Sequence, residues 1–250
     1  MSRSNNSVTS SRFGTTRAFF RKQLWIWPIL AAVVLAIVGF AIRSVVESEV
    51  KKNLAAQLET ILDADVTALK IWLKSQERSA ATIAADAQVR ELIESLGALA
   101  NQPEFTARDL LQARAQQDLR NELQAWLTAN EYEGFVALTQ HALFLAADRD
   151  ELVGRDDLPI PEGLFEQVFA GKATVTRPFG SKLILKSETG EAKAGVPTMY
   201  AVAPVRNAQG EVIAGLGFRI RPEKEFTRIL SVARAGESGE TYAFDQEGWL

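Results

Sequence analysis

An uncharged run of 19 residues near the N-terminus constrains this chain more than any other feature. Residues 24–42 read LWIWPILAAVVLAIVGFAI. As a helix this run is about 28 Å long, close to the roughly 30 Å thickness of bilayer hydrocarbon, whereas apolar runs of buried core helices are about 10–14 residues. Trp25 and Trp27 stand where an interfacial aromatic belt falls, and Pro28 lies in the first turn, where its missing N–H costs least. The run therefore predicts a transmembrane helix over 24–42.

The flanks of this run indicate an uncleaved anchor and its orientation. A signal peptide has an apolar core of about 7–15 residues that ends in small residues, but IRSVVESEV follows here. Basic residues are enriched on the cytoplasmic side of a span. We therefore expect 1–23 to be a cytoplasmic basic tail and 44–250 to be extracytoplasmic, with one span in the inner (plasma) membrane and the lipid bilayer as partner. The basic residues before the span are Arg3, Arg12, Arg17, Arg21 and Lys22.

Composition excludes several classes of function. The chain has no Cys and one His, which excludes thiol catalysis, Cys-ligated zinc and paired-imidazole metal sites. The first 43 residues carry six basic and no acidic residues while the net charge is −3, so the other 207 sum to −9. Such an acidic remainder is a poor match to phosphate backbones, and nucleic acid is not expected as a partner. No nucleophile with a base, phosphate loop or metal set emerges, so we predict no enzyme, no catalytic residue, no metal and no cofactor in these residues.

Helical periodicity dominates the first half after the span. Apolar residues at steps of three and four predict a stalk helix that continues the membrane helix to about Gln76. This stripe suits either an amphipathic core helix or a coiled-coil homodimer. Further helices are predicted over 80–99 and 106–128, the second with Thr106 and Asp109 as a cap pair. The stripe comprises Val46, Val50, Leu54, Leu58, Ile61, Leu62, Leu69, Trp72 and Leu73.

The second half alternates with a period of two and predicts an antiparallel sheet. The hairpins are 134–147 and 198–220, the second with a turn at 207–210. The lone imidazole, His141, is expected in the turn of the first hairpin, either solvated or as a ligand contact or pH sensor. Pro204 cannot donate to a ladder and marks an edge, a strand end or a bulge. Small residues at 215–217 let a backbone or a ligand approach closely. The remaining predicted elements are a helix at 161–170, strands at 173–179 and 181–186, and a helix at 221–230.

This order of elements resembles the double Cache (dCache) sensor domain that bacterial transmembrane receptors carry outside the cytoplasm. The resemblance rests on the hairpin PTMYAVAPVRNAQGEVIAG (197–215) and on GESGETYAFDQEGWL (236–250), which looks like the opening of a second module. It implies an α+β fold: a transmembrane helix that continues into a long stalk helix, then a PAS-like Cache module with an antiparallel sheet flanked by helices. The module would occupy 44–235 as the membrane-distal one, and 236–250 would start a truncated, membrane-proximal one.

The resemblance implies a function as well. A domain of this kind binds a small-molecule ligand and transmits the signal through its helices to a cytoplasmic output domain, which is not present in this chain. The output class stays open between chemotaxis signalling, histidine kinase, cyclic-nucleotide and Ser/Thr kinase modules. The alternative is a single-pass, membrane-anchored interaction or structural protein without a small-molecule ligand.

Polar or aromatic residues on central strands are the ligand-binding candidates, because a PAS-like sheet binds small molecules on its concave face. Tyr200, Arg177 and Asp148 meet this description, and Arg177 could hold a carboxylate through two hydrogen bonds. A carboxylate is therefore one candidate ligand. Each of the three also has an ordinary interpretation as a surface or packing residue. The R-x-W-Y arrangement of amino-acid-binding Cache sensors is absent, which disfavours amino-acid recognition by that motif.

Overall fold

The computed structural model describes residues 16–186 and 190–231. The chain divides into two compact units, residues 1–60 and 61–250. Helix α1 spans Thr16–Ala84 and contains the predicted membrane helix. Within the described part of the chain it is the one helix whose length and composition suit a membrane span, and no part of its most apolar stretch is buried. The apolar run thus fits a transmembrane anchor. The motif at 236–250 and residues 1–15 of the basic tail lie outside the described residues.

Helix α1 continues beyond the predicted end at Gln76, and the helix predicted from Ala80 begins later. Helix α1 continues to Ala84 because ERSAATIA contains no helix breaker. Its last two turns bury Ala80 and Ala84 in the core. Helix α2 spans Ala87–Ala100. Its N-cap is Asp86, whose Oδ1 accepts hydrogen bonds from Gln88 N (2.8 Å) and Val89 N (3.1 Å).

The helix predicted over 106–128 is divided in two. Ala113 adopts an extended conformation (φ −61°, ψ 133°), which separates α3 (Ala107–Gln112) from α4 (Arg114–Ala129). The predicted cap pair is confirmed, since the Thr106 N–H donates to Asp109 Oδ2 at 2.7 Å. Beyond the break, buried Gln116 and half-buried Arg120 donate from α4 to the Ala147 carbonyl oxygen, at 3.2 and 2.8 Å. The break at Ala113 is therefore followed by a separate helix, α4, whose side chains form hydrogen bonds to the end of β2.

The main sheet is antiparallel, with strands in the order β2-β1-β8-β7-β3, and β4 also pairs with β7. Strands β5 and β6 form a separate ribbon. The α+β prediction is confirmed, as are both hairpins and the helix at 221–230. The strands are β1 (Phe135–Leu138), β2 (Phe144–Ala147), β3 (Thr174–Val175), β4 (Phe179–Gly180), β5 (Leu185–Lys186), β6 (Ala192–Lys193), β7 (Pro197–Arg206) and β8 (Val212–Ile220). The helices among and after them are α5 (Leu164–Phe169) and α6 (Pro222–Leu230).

Two predicted strands are much shorter in the structure. The stretch 173–179 is split by Arg177 and Pro178, so β3 pairs with β7 at Ala201 and Val202 whereas β4 pairs with it at Pro197 and Thr198. Pro178 has no N–H with which to continue a ladder. In 181–186 the Ser181 hydroxyl accepts from the Leu183 N–H at 3.1 Å, which turns the chain before β5.

The two faces of the main sheet differ. One face packs its buried residues against α2 and α4 and forms the core of the second unit. Pro204 lies on the other face, opposite Gly215 and beside a bulge at Val205 and Arg206. It is also beyond the residues of β7 that pair with β3, so its missing N–H interrupts no ladder. His141 is exposed in the turn between β1 and β2. Core residues of the helix-facing side are Phe135, Ala137, Ala201, Ala203, Leu216 and Phe218.

Candidate ligand-binding site

A cavity of about 240 Å³ lies on the sheet face opposite the helices. Its floor is formed by alternate residues of β1, β7 and the start of β2, and its walls by the segments around α5 and β4. Side chains two apart on a strand share a face, so the hairpins bring these floor residues together. The described lining residues are Val136, Leu138, Phe144, Leu152, Leu158, Pro159, Ile160, Pro161, Leu164, Phe179, Gly180, Ser181, Lys182, Leu183, Thr198, Tyr200 and Val202.

Gly215 and Gly217 of β8 leave room for side chains of the neighbouring elements to pack together at the cavity floor. A Cβ on Gly217 would lie 3.3 Å from both Val136 Cγ2 and Val202 Cγ2, tighter than ordinary contact. A Cβ on Gly215 would lie 3.1 Å from Val168 Cγ1. The small residues noted in the sequence thus allow side chains from β1, β7 and α5 to meet over β8.

Tyr200 is half-buried on β7 and forms part of the cavity wall. Its ring stacks on Phe179, with centroids 6.2 Å apart, and its backbone N–H donates to Thr176 Oγ1 at 2.9 Å. Burial raises the pKa of its hydroxyl to about 12. The hydroxyl forms no hydrogen bond with any residue in the described ranges, so at neutral pH it is a protonated donor available to a ligand.

Arg219 lies directly across the ladder from Tyr200 and was not anticipated from the sequence. Only 15% of its side chain is exposed. Its Nη2 donates to the Glu133 carbonyl oxygen at 3.0 Å and lies 3.6 Å from Glu133 Oε2. One feature of the sequence could have indicated this position. Arg219 follows Gly215 and Gly217 at steps of two, which places a charged residue on the cavity side of an otherwise apolar strand.

Asp148 follows β2 and joins the same electrostatic cluster without lining the cavity. Its Oδ1 accepts from the Phe135 N–H at 3.2 Å, and a Cβ on Gly134 would lie 2.6 Å from its Oδ2. Although the residue is exposed, the protein around its carboxyl desolvates it and raises its pKa, against the lowering effect of the Phe135 N–H. Asp148 and Arg219 both act on the pKa of Tyr200, Arg219 lowering it and Asp148 raising it.

The structure brings two of the three predicted site residues together. Tyr200 and Asp148 share one cluster, whereas Arg177 is exposed in the link between β3 and β4 and is not among the described residues that line the cavity. Lys182 does line it and was overlooked, although a lysine that opens the apolar stretch SKLIL was visible. In the described ranges, no group of three or more His, Cys, Asp or Glu residues could hold a metal ion.

Comparison with known proteins found similarity among solved structures alone. No family model matches the chain, and no curated protein matches it significantly. The sensor domain of the Vibrio cholerae histidine kinase DctB has 12% identity and a TM-score of 0.43 over 72% of this chain, which spans 58% of that domain. The ligand-binding domain of the Campylobacter jejuni chemoreceptor Tlp3, with 4-methylisoleucine, has 14% identity and a TM-score of 0.46 over 79% of this chain and 68% of its own. The Escherichia coli DcuS sensor domain has 15% identity and a TM-score of 0.32 over 58% of this chain and 99% of its own. Two of these neighbours are named as sensor domains and the third as a ligand-binding domain.

Proposed function

We propose that this chain is the membrane-anchored, extracytoplasmic sensor part of a receptor of the Cache type, and that it binds a small molecule in the cavity of its sheet. The observation that carries the proposal is the cavity itself: apolar walls with a desolvated tyrosine hydroxyl that has no partner among the described residues. Ligand sites of proteins are mostly apolar concavities with a few convergent polar groups.

The proposal includes a homodimer and transmission through helices to an output domain outside this chain. Within the first unit, α1 exposes an apolar stripe at steps of four residues, and such a stripe packs stably against a second helix. About half of each side chain is exposed at these positions, which are Val46 (54%), Val50 (59%), Leu54 (52%) and Leu58 (46%). Ligand-driven shifts of packed helices by an ångström or two are a known means of transmission.

A blocked cavity tests the proposal. In Val202→Phe a larger side chain fills the floor, whereas Val175→Phe places the same ring on a neighbouring strand, in register with Ala201 of the helix-facing side. The full chain in lipid nanodiscs is screened by thermal shift against amino acids, amines, sugars and carboxylates. A ligand at 100 times its Kd stabilises a protein by about 2.7 kcal/mol.

We expect at least one compound to raise the Tm of the wild type and of Val175→Phe but not that of Val202→Phe. Equal shifts in both variants would place binding elsewhere. Absence of any shift across the panel would favour the alternative, a membrane-anchored interaction protein without a ligand.

A further inference from the structure

The polar groups that line the cavity are mainly hydrogen-bond donors. The Thr198 hydroxyl is the exception, because its proton is already donated to the Val196 carbonyl oxygen at 3.1 Å. The Ser181 hydroxyl accepts from the Leu183 N–H and keeps its own proton to donate. With the Tyr200 hydroxyl and the Lys182 ammonium, the cavity therefore offers donors that suit an acceptor on the ligand.

The charge at the cavity has one sign. Lys182 is the one ionised side chain among the described lining residues, and it forms no ion pair with any residue of ranges 16–186 and 190–231. Arg219 stands across the ladder from Tyr200, but it is not among the described lining residues and its charge is paired with Glu133 at 3.6 Å. The nearby carboxylate of Asp148 is bonded to the Phe135 N–H and does not appear on the cavity wall. Lys182 can pair with an anionic group of a ligand, whereas a ligand ammonium group would be desolvated in the cavity without a carboxylate partner.

Size and wall chemistry limit the rest of the ligand. The cavity of about 240 Å³ is larger than an apolar cavity of about 150 Å³ that takes up benzene. It is smaller than the roughly 300–1,000 Å³ of sites for drug-sized molecules. Leu138, Phe144, Leu164 and Val202 are buried lining residues, so a charged far end of the ligand would lose its hydration. The fitting ligand has a compact apolar body and one anionic end.

We propose, on the basis of the sensor function proposed above, that the ligand class is a compact apolar monocarboxylate. Its chain or ring fills the space between the sheet and α5, and its carboxylate accepts a hydrogen bond from Tyr200 and is neutralised by Lys182. The arrangement selects against α-amino acids, which add an ammonium group, and against dicarboxylates, which add a second anion in an apolar interior.

A series of six-carbon compounds tests this ligand class. Isocaproate is the monocarboxylate, leucine adds an α-ammonium group to the same skeleton, isohexanol replaces the carboxylate by a hydroxyl, and adipate has two carboxylates. Isothermal titration of the full chain in nanodiscs, with empty nanodiscs as blank, gives each Kd. We expect isocaproate to bind at least about tenfold more tightly than the other three compounds, a difference of about 1.4 kcal/mol.

Point variants identify the groups that hold the carboxylate. We expect Lys182→Gln and Tyr200→Phe each to raise the Kd of isocaproate about tenfold, a typical loss for a hydrogen bond to a charged group. Lys172→Gln, at an exposed lysine outside the described cavity lining, should leave it unchanged. The Tm of each variant without ligand reports on folding. Isohexanol should bind Lys182→Gln as it binds the wild type.

The ligand class is overturned if leucine or adipate binds as tightly as isocaproate, if none of the four binds, or if Lys182→Gln leaves the Kd unchanged. The sensor function survives any of these results when the diverse panel yields a compound whose binding Val202→Phe abolishes. It fails together with the ligand class only if that panel also yields none.

Discussion

Tyr200 shows how one side chain acquires its properties from several strands. Phe179 of β4 covers its ring, Thr176 accepts from its backbone, and Arg219 of β8 faces it across the ladder. Burial raises the pKa of the hydroxyl from its ordinary value to about 12, so the group is neutral at physiological pH. Its capacity to donate to a ligand should therefore not change over the physiological pH range.

Alkaline pH should destabilise the fold through two tyrosines. Burial also raises the pKa of Tyr132 to about 12; its ring stacks on Phe218 and its hydroxyl donates to Gln76 Oε1 at 2.7 Å. An unfolded tyrosine ionises near its ordinary pKa of about 10, so above that pH the unfolded state binds fewer protons. The stability that the neutral hydroxyls contribute is fully present below about pH 10 and is lost as pH rises toward about 12.

The test is the free energy of unfolding as a function of pH, measured by urea titration between pH 8 and 11.5. Tyr200→Phe cannot ionise and should lose less stability above about pH 10 than the wild type loses. Identical slopes for the two proteins would show that Tyr200 is not desolvated in the folded state.

The β7–β8 hairpin sets the register of the site. Asn207 closes its turn, because Oδ1 accepts from Gln209 N at 3.0 Å and from Glu211 N at 2.9 Å, while Gly210 has a φ of 87°. A slip by one residue would turn Tyr200 to the helix-facing side. The turn therefore positions a site residue seven positions away.

Removal of the turn acceptor should weaken the whole sheet. We expect Asn207→Ala to lower the free energy of unfolding by about 1–2 kcal/mol, since two backbone N–H groups lose their partner. Gln209→Ala, in the same exposed turn, is the control and should change it by less than about 0.5 kcal/mol. Urea denaturation of the full chain in nanodiscs measures both values, and equal losses would contradict the role given to Asn207.

Elements with a strong local pattern were predicted well, and elements that depend on distant partners were not. The hairpins at 134–147 and 198–220 combine alternation with suitable turns, and both form as predicted. Nothing local in 106–128 announces the break at Ala113. The short strands β3 and β4 depend on two separate pairing sites on β7 as well as on the local break at Pro178.

At the scale of the molecule, the chain is an α+β domain that follows one apolar helix suited to a membrane. The assignment of 44–235 to one module and of 236–250 to a second remains a prediction, as does the orientation. The two proposals depend on orientation, because a cavity outside the cytoplasm meets external solutes.

Protease accessibility checks the orientation. With 44–250 outside, a protease added to spheroplasts of bacteria that express the chain should digest the domain and leave a small membrane-bound fragment. A cytoplasmic marker protein is the control for intact membranes. Survival of the domain, or recovery of the chain in the soluble fraction, would contradict the topology. Leu35→Arg, at the middle of the span, should lower membrane recovery, because a central arginine costs about 2.5–3.5 kcal/mol on insertion.

The amino-acid sequence by itself determined the apolar span, the long helix, both hairpins and the α+β class, because length, charge and periodicity are local properties that neighbouring residues express together. It also singled out Tyr200 as a candidate, and the structure places this residue in the cavity lining. Only the tertiary structure decided that Arg219 faces Tyr200, that Lys182 lines the cavity and that Arg177 does not. These relations arise from strand pairing and loop closure between residues far apart in the chain, and such pairing leaves no periodic trace in either segment alone.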